Sequence, residues 1–187
     1  RSSFNILPND IVLIMVAGFR PQKDQDTIIR SLLLLPDNVK LVLVGDGERK
    51  TICEKITLDL GLEDRVIFTG VRYDVERLLK MSDVSIVSSH WEGFGLVAVE
   101  GMAAGLPVIA SDGSGLREVV SNAGLLFMAG DENDLADKVR KLLNNSSLYN
   151  EVKSKCYLRS KKFSIDSMVD KTINLYCSLQ KVKLFNK

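Results

Sequence analysis

The stretch IVLIMVA at residues 11–17 is continuously apolar and rich in β-branched side chains. Such a run is typical of a strand that is buried on both faces, as in a parallel sheet. KLVLVG at residues 40–45 repeats the pattern. Four shorter apolar runs follow it, at residues 65–69, 83–88, 107–110 and 124–128. We therefore predict one sheet built from six strands.

Segments with helical spacing separate these runs. The predicted helices cover residues 24–35, 48–60, 74–81, 96–104, 115–120, 131–143, 147–162 and 164–179. Pro36 and Gly61 supply the stop signals for the first two. Alternating strands and helices predict an α/β fold: a single Rossmann-like, doubly wound parallel sheet with helices on both faces and further helices at the C-terminus. We expect one domain over residues 1–180 and a frayed tail over 181–187.

Composition places few limits on the partners. Hydrophobic residues make up 45% and charged residues 26% of the chain, a normal balance for a globular domain. The formal net charge of +1 gives no overall field that would favour nucleic acid. Residues 1–10 lack a signal-peptide pattern, and no apolar run approaches the ~18 residues of a transmembrane segment. We expect a cytoplasmic location, peripheral at the inner face of the membrane in the full-length protein, with reduced cysteines.

The sequence SSHWEGFGLVAVEGMAAG at residues 88–105 runs from a predicted strand through a glycine-containing loop into a helix that starts near Leu96. The glycines would let a ligand approach the backbone closely. The N-terminus of the helix supplies unpaired amides and positive potential, which favour a phosphate or a hydroxyl-rich ligand. Glu92 precedes that N-terminus. Glu100 lies in the second turn, within reach of the same crevice at a rise of ~1.5 Å per residue.

Taken singly, each glutamate has an ordinary structural explanation. Glu92 could cap the helix, and Glu100 could be an exposed helix acid. Together, however, EGFGLVAVE and the following GMAAGLPVIAS resemble the E-x7-E signature of retaining glycosyltransferases with the GT-B fold, especially the large family four. The resemblance extends over nearly the whole chain, through VAGFRPQKD at residues 16–24, LVGDG at 43–47, RVIFTG at 65–70 and DGSGLRE at 112–118.

The resemblance implies specific roles. Glu92 would contact the donor sugar near the reaction centre, and Glu100 would hold the ribose hydroxyls. Lys23 would neutralise the diphosphate, a task that suits a point charge beside a phosphate. The backbone of four residues would face the sugar and the diphosphate, namely Gly93, Phe94, Gly95 and Leu96. Glu92 and Lys23 are thus the predicted catalytic residues, and residues 68–72 are expected near the nucleobase.

One position departs from the family pattern. Many members carry arginine where this chain has Gly18, five residues before the lysine. The nearest arginine here is Arg20. Either Arg20 reaches the phosphates from a shifted position, or it is a solvated loop arginine and the site carries less positive charge.

Three weaker signals point elsewhere. Asp24 and Asp26 form a D-x-D pattern, which can hold a metal ion, but they open a helix and are interpreted as capping acids. Gly45 and Gly47 suggest a dinucleotide fingerprint, but Lys50 stands where the third glycine belongs. With His90 as the sole histidine and no CxxC motif, no metal site is predicted. An NAD-type dinucleotide-binding domain and a non-catalytic nucleotide-binding module remain the alternatives.

The resemblance also implies a reaction. A sugar would pass from a nucleoside diphosphate of the UDP or GDP type to a hydroxyl of a glycan, lipid or polysaccharide precursor. Anomeric configuration would be retained, without a metal or other cofactor. GT-B enzymes have two Rossmann-like domains, so the N-terminal acceptor domain is expected as a missing partner. We therefore predict that this chain alone binds nucleotide weakly and does not catalyse transfer.

Overall fold

One parallel sheet forms the centre of the molecule. The computed structural model describes the backbone of residues 1–185 and the side chains of residues 1–179. The strands are β1 (Ile11–Val16), β2 (Val39–Val44), β3 (Val66–Phe68), β4 (Val84–Val87), β5 (Val108–Ser111) and β6 (Leu125–Phe127). Their order is β3-β2-β1-β4-β5-β6, and every neighbouring pair is parallel. The predicted doubly wound sheet is confirmed, and the predicted strands differ from it only at their end residues.

Helices connect the strands and close the chain. They are α1 (Gln25–Ser31), α2 (Lys50–Asp59), α3 (Val75–Met81), α4 (Leu96–Ala103), α5 (Ser114–Val120), α6 (Glu132–Leu143), α7 (Ser146–Ser160) and α8 (Ile165–Phe185). Asp131 caps α6 by accepting hydrogen bonds from the amides of Asn133 and Asp134. The local signals in the sequence therefore located each helix, with errors confined to the ends.

The end of the first predicted helix was wrong. α1 stops at Ser31, and Leu32–Leu34 form a 3-10 turn instead of continuing to residue 35. Leu35 is extended, with φ −112° and ψ 154°, because the ring of the following proline excludes the helical conformation. α7 likewise ends at Ser160 and passes into a 3-10 turn, Lys161–Phe163.

The sheet has its topological switch point between β1 and β4. These strands are direct neighbours, with Leu13 opposite Val84 and Ile14 opposite Ser85. The chain leaves β1 toward β2 on one side and β4 toward β5 on the other. In doubly wound sheets, ligands bind in the crevice that opens beyond the carboxyl ends of such a strand pair. The loops after β1 and β4 are therefore the first place to look for a site.

The core is divided by the sheet into two layers. Along β1, Leu13 and Met15 belong to the layer beneath α1, whereas Val12 and Ile14 belong to the layer beneath α3. This alternation follows from the two-residue repeat of a strand, so both faces of β1 are apolar. On the α4 side, Gly101 lies so close to β4 that an added Cβ would stand 2.6 Å from Oγ of Ser85. Close packing at Gly101 therefore fixes how α4 sits on the sheet.

The last helix projects a row of exposed apolar side chains. Ile165, Met168, Val169, Ile173 and Tyr176 follow one another at helical spacing and are all solvent-exposed. The main packing contact of α8 is with the 3-10 turn Lys161–Phe163. Its backbone continues to Phe185, so the predicted frayed tail at 181–187 overlaps this helix; residues 186–187 lie outside the described residues. Within residues 1–185, no helix combines the length and apolar character of a membrane span.

The cysteines lie apart from the switch point and are all free thiols. Burial raises the pKa of Cys53 to about 12 and that of Cys156 to about 11. A thiol with so high a pKa holds almost no thiolate at neutral pH and is a poor nucleophile. Cys53 and Cys156 therefore serve packing, and Cys177 is exposed on α8.

Candidate functional site

A cleft of about 810 Å³ opens between the loops that follow β1 and β2. Its lining is polar and comprises Gly18, Arg20, Gln22, Lys23, Asp46, Gly47 and Glu48. The amide of Phe19 donates to the carbonyl of Asp46 at 3.0 Å, which ties the two loops together. Gly47 has φ 153°, and a Cβ there would stand 2.5 Å from the carbonyl oxygen of Phe19. Only glycine allows this approach.

Lys23 is held at the cleft by a short, rigid segment. It ends a 3-10 turn, Pro21–Lys23, and Asp24 after it adopts the left-handed conformation at φ 51°. Asp24 offsets that strain with its own carboxylate, which accepts from the hydroxyl of Thr27 at 2.6 Å and caps α1. The backbone amide of His90 donates to the carbonyl of Gln22 at 2.8 Å. The β1 loop is thereby fastened to the β4 loop.

Glu92 lies on the β4 loop and forms an ion pair with Lys23. The side chains are 22% and 19% exposed, so the pair is shielded but still in contact with solvent. Oε1 of Glu92 also accepts a hydrogen bond from the hydroxyl of Ser89 at 3.0 Å. Among the described side chains, no partner contacts Oε2. The structure therefore brings two of the predicted site residues together across the switch point.

The N-terminus of α4 follows Glu92 directly and is open. Gly95, its N-cap, has φ 82° and no side-chain capping hydrogen bond. A Cβ at this glycine would stand 2.5 Å from Cδ2 of Leu116. Phe94 packs edge-on against Phe163 at a ring distance of 5.3 Å, which braces the loop against the end of α7. The amides of the first turn are thus presented on a well-supported loop, while the side chain of Leu96 is exposed.

Glu100 lies in a neighbouring cavity. It lines a groove of about 550 Å³ between α3 and α4, with Val16, Val75 and Leu79 among its apolar neighbours. Among the described residues it has no hydrogen bond or ion pair to Lys23 or Glu92. Glu100 therefore lines this groove, whereas Lys23 lines the polar cleft. The two cavities adjoin at the end of β1, where Val16 lines one and Gly18 the other.

The D-x-D pattern is structural. Asp24 caps α1, and Asp26 forms an ion pair with Arg49 at 2.6 Å. Within the described part of the chain, no three His, Cys, Asp or Glu side chains gather into a possible metal site. Asp24 is thus a capping acid, as expected, whereas Asp26 pairs with the N-cap arginine of α2.

Several residues of the site carried no signal in the sequence. Ser88 and Ser89 directly follow β4, Ser111 ends β5, and all three are fully buried. Gln25 is also buried, donates to the carbonyl of Gly18 at 3.1 Å and leaves its Oε1 without a partner. Such residues are recognised only once the partners from distant segments are known. The family resemblance pointed to the residues expected to touch a ligand and not to those that hold them.

The fold and the crevice define a Rossmann-like α/β domain of the type that receives ligands at its switch point. Residues 1–159 match the model of the family described as Glycosyl transferases group 1, and the chain belongs to that family. The structure of Anabaena HepE in complex with UDP-glucose superposes with a TM-score of 0.88 at 28% identity. That likeness covers 95% of this chain and 51% of HepE. The domain is one half of a GT-B fold.

Curated relatives agree with this placement. The N-acetyl-alpha-D-glucosaminyl L-malate synthase of Bacillus anthracis is 33% identical over 153 residues, which are 80% of this chain and 40% of the enzyme. An Escherichia coli UDP-Gal:alpha-D-GlcNAc-diphosphoundecaprenol alpha-1,3-galactosyltransferase is 32% identical over 183 residues, covering 91% and 46%. The chain thus spans about half the length of these relatives.

Proposed function

We propose that this domain binds the nucleoside-diphosphate sugar in a retaining, metal-independent glycosyltransferase. The observation that carries the proposal is the Lys23–Glu92 pair, which joins the loops of β1 and β4 beside the open N-terminus of α4. The cation and the free amides suit the diphosphate of a nucleoside-diphosphate sugar, and the carboxylate suits the hydroxyls of its sugar. Solved HepE structures contain UDP and UDP-glucose, which supports a uridine nucleotide as the first candidate.

The diphosphate is the leaving group, so negative charge must be stabilised there during transfer. Lys23 supplies a full positive charge, and the first-turn amides of α4 supply partial charges without having to reorganise. Arg20 lines the same cleft and is exposed, so it is free to approach a phosphate. In the structure Lys23 is paired with Glu92. An incoming diphosphate would draw the ammonium away and leave the carboxylate free for sugar hydroxyls.

The two cavities match the two ends of such a ligand. The polar cleft with Lys23 suits phosphates, and the apolar groove with Glu100 suits a nucleoside. Glu100 at the wall of that groove would accept hydrogen bonds from ribose hydroxyls. Catalysis is assigned to Glu92 and Lys23, and donor binding to those two with Arg20, Glu100 and the backbone of residues 93–96.

Transfer requires a surface that this domain does not present. The cleft is open on one side, and water in it weakens each electrostatic contact. The chain spans about half of its relatives, and α8 exposes an apolar face next to the end of the domain. We propose a second, N-terminal domain as the partner that closes the cleft and binds the acceptor. The acceptor would be a glycan or lipid, with the full-length protein at the cytoplasmic face of a membrane.

A thermal-shift screen tests donor binding without knowledge of the acceptor. UDP, GDP, ADP and their sugars are compared at increasing concentration, and one nucleotide series should stabilise the chain. A ligand present at 100 times its Kd adds ~2.7 kcal/mol to the free energy of unfolding. No stabilisation by any nucleotide at millimolar concentration would refute the proposal. The same samples should show no sugar transfer to added acceptors.

Replacing Glu100 by alanine tests the ribose assignment. We expect UDP to bind more weakly by about 1–3 kcal/mol, because hydrogen bonds to a charged acceptor are lost. 2′-Deoxy-UDP, which keeps only the 3′-hydroxyl, should lose less affinity than UDP when Glu100 is replaced. Glu76→Ala is a suitable control because Glu76 lines the same groove but pairs with Lys80. Equal affinities of the wild type and Glu100→Ala for UDP would remove Glu100 from the site.

A further inference from the structure

Two adjacent serines at the end of β4 hold the two members of the Lys23–Glu92 pair. The hydroxyl of Ser88 lies 2.9 Å from the carbonyl oxygen of Lys23 and 2.8 Å from that of Asp24. The hydroxyl of Ser89 donates to Oε1 of Glu92 at 3.0 Å. Successive residues of an extended chain point to opposite sides, so one strand end can serve both the β1 loop and the β4 loop.

Both serines are fully buried, which makes their hydrogen bonds persistent. Each has a relative exposure of 0%, so water cannot compete for the hydroxyls. The hydroxyl of Ser111, at the end of β5, donates to the carbonyl of Ser89 and holds that residue in place. These hydrogen bonds thus tie Lys23 and Glu92 to the ends of the central strands, which belong to the buried core of the sheet.

We infer that Ser88 and Ser89 are positioning residues of the donor site. Ser88 sets the backbone from which the Lys23 ammonium reaches the diphosphate. Ser89 anchors Oε1 of Glu92 and so directs Oε2 toward the donor sugar. This inference rests on the proposed function. Neither serine touches the ligand; each acts through the residue that it holds.

Because the two serines hold different groups, their removal should have separable effects. Ser88→Ala should weaken UDP itself, since the Lys23 backbone loses its anchor. Ser89→Ala should leave UDP binding unchanged and reduce the extra affinity that the sugar contributes. We expect that extra affinity to fall about tenfold, equivalent to ~1.4 kcal/mol. If a serine served only the fold, its replacement would lower thermal stability without affecting UDP and the UDP-sugars differently.

The experiment is calorimetric titration of the chain with UDP and with UDP-glucose, UDP-galactose and UDP-N-acetylglucosamine. Ser31→Ala is the matched control, because Ser31 is equally buried and its hydroxyl donates to the carbonyl of Ile28 at 2.7 Å, away from the cleft. The inference is overturned if Ser89→Ala and Ser31→Ala give the same UDP and UDP-sugar affinities. If the wild type binds none of the ligands, the proposed function fails first. If it binds UDP but no sugar adds affinity, the role of Ser89 fails alone.

Should Ser89→Ala unfold, Ser89→Cys, which keeps a side chain of the same shape with only a weak donor, replaces it in both measurements. Glu92→Gln should reduce the affinity contributed by the sugar, as Ser89→Ala does. In the double variant the two losses should not add, because Ser89 acts only through Glu92. Additive losses would overturn the inference even if both single variants weaken donor binding.

Discussion

Lys23→Met should lower the affinity for UDP by about a hundredfold, equivalent to ~2.7 kcal/mol. The substitution removes the positive charge that the diphosphate would meet and keeps a side chain of similar length. It also leaves Glu92, which is 19% exposed, without its counter-ion. That carboxylate then repels the incoming diphosphate at close range.

The effect should depend on the phosphates. Uridine, which carries no phosphate, should bind the wild type and Lys23→Met about equally. The difference in affinity between the two proteins should be larger for UDP than for UMP. Lys138→Met is the matched control, because Lys138 forms a similarly exposed ion pair with Asp134 at 2.9 Å, away from the cleft. Calorimetry at two salt concentrations completes the test, since added salt should weaken UDP binding to the wild type more than to the variant. An equal loss for uridine and UDP would show that Lys23 acts on the fold instead.

The sequence was most informative where local physics alone determines structure. The run at residues 11–17 predicted a strand buried on both faces, and β1 occupies the centre of the sheet. Asp131 before an amphipathic segment predicted a capped helix and is the N-cap of α6. The strand order, which the sequence did not predict, then selects the loops after β1 and β4 as the place of the site.

The errors and omissions concern relations between distant segments. The local pattern did not encode which cavity Glu100 would line: it lies in a groove between α3 and α4, beside the cleft of Lys23. The serines at the ends of β4 and β5 escaped notice because a buried hydroxyl is indistinguishable in sequence from an exposed one. Their partners lie on other segments, which no local pattern encodes.

Gly115→Ala should disable the site through the backbone. Gly115 lies in α5, and a Cβ there would clash with the carbonyl of Glu92 and stand 2.8 Å from that of Gly93. Neither neighbour is a flexible side chain, so the whole β4 loop has to move. Overpacking of this kind costs about 1–3 kcal/mol in stability. Binding should suffer as well, because the amides of residues 93–96 move with the loop and each hydrogen bond lost to a charged phosphate costs about 1.5–3 kcal/mol.

The neighbouring Gly113 provides the control for this prediction. It is the N-cap of α5 at φ −108°, and an added Cβ would meet only the carbonyl of His90, at an ordinary 3.5 Å. Gly113→Ala should therefore retain most of the affinity for UDP-sugars, while Gly115→Ala loses it even where thermal unfolding shows the variant still folded. If both variants bind alike, the β4 loop is free to adjust. In that case the bound ligand, and not the contact between α5 and the β4 loop, would determine the conformation of the site.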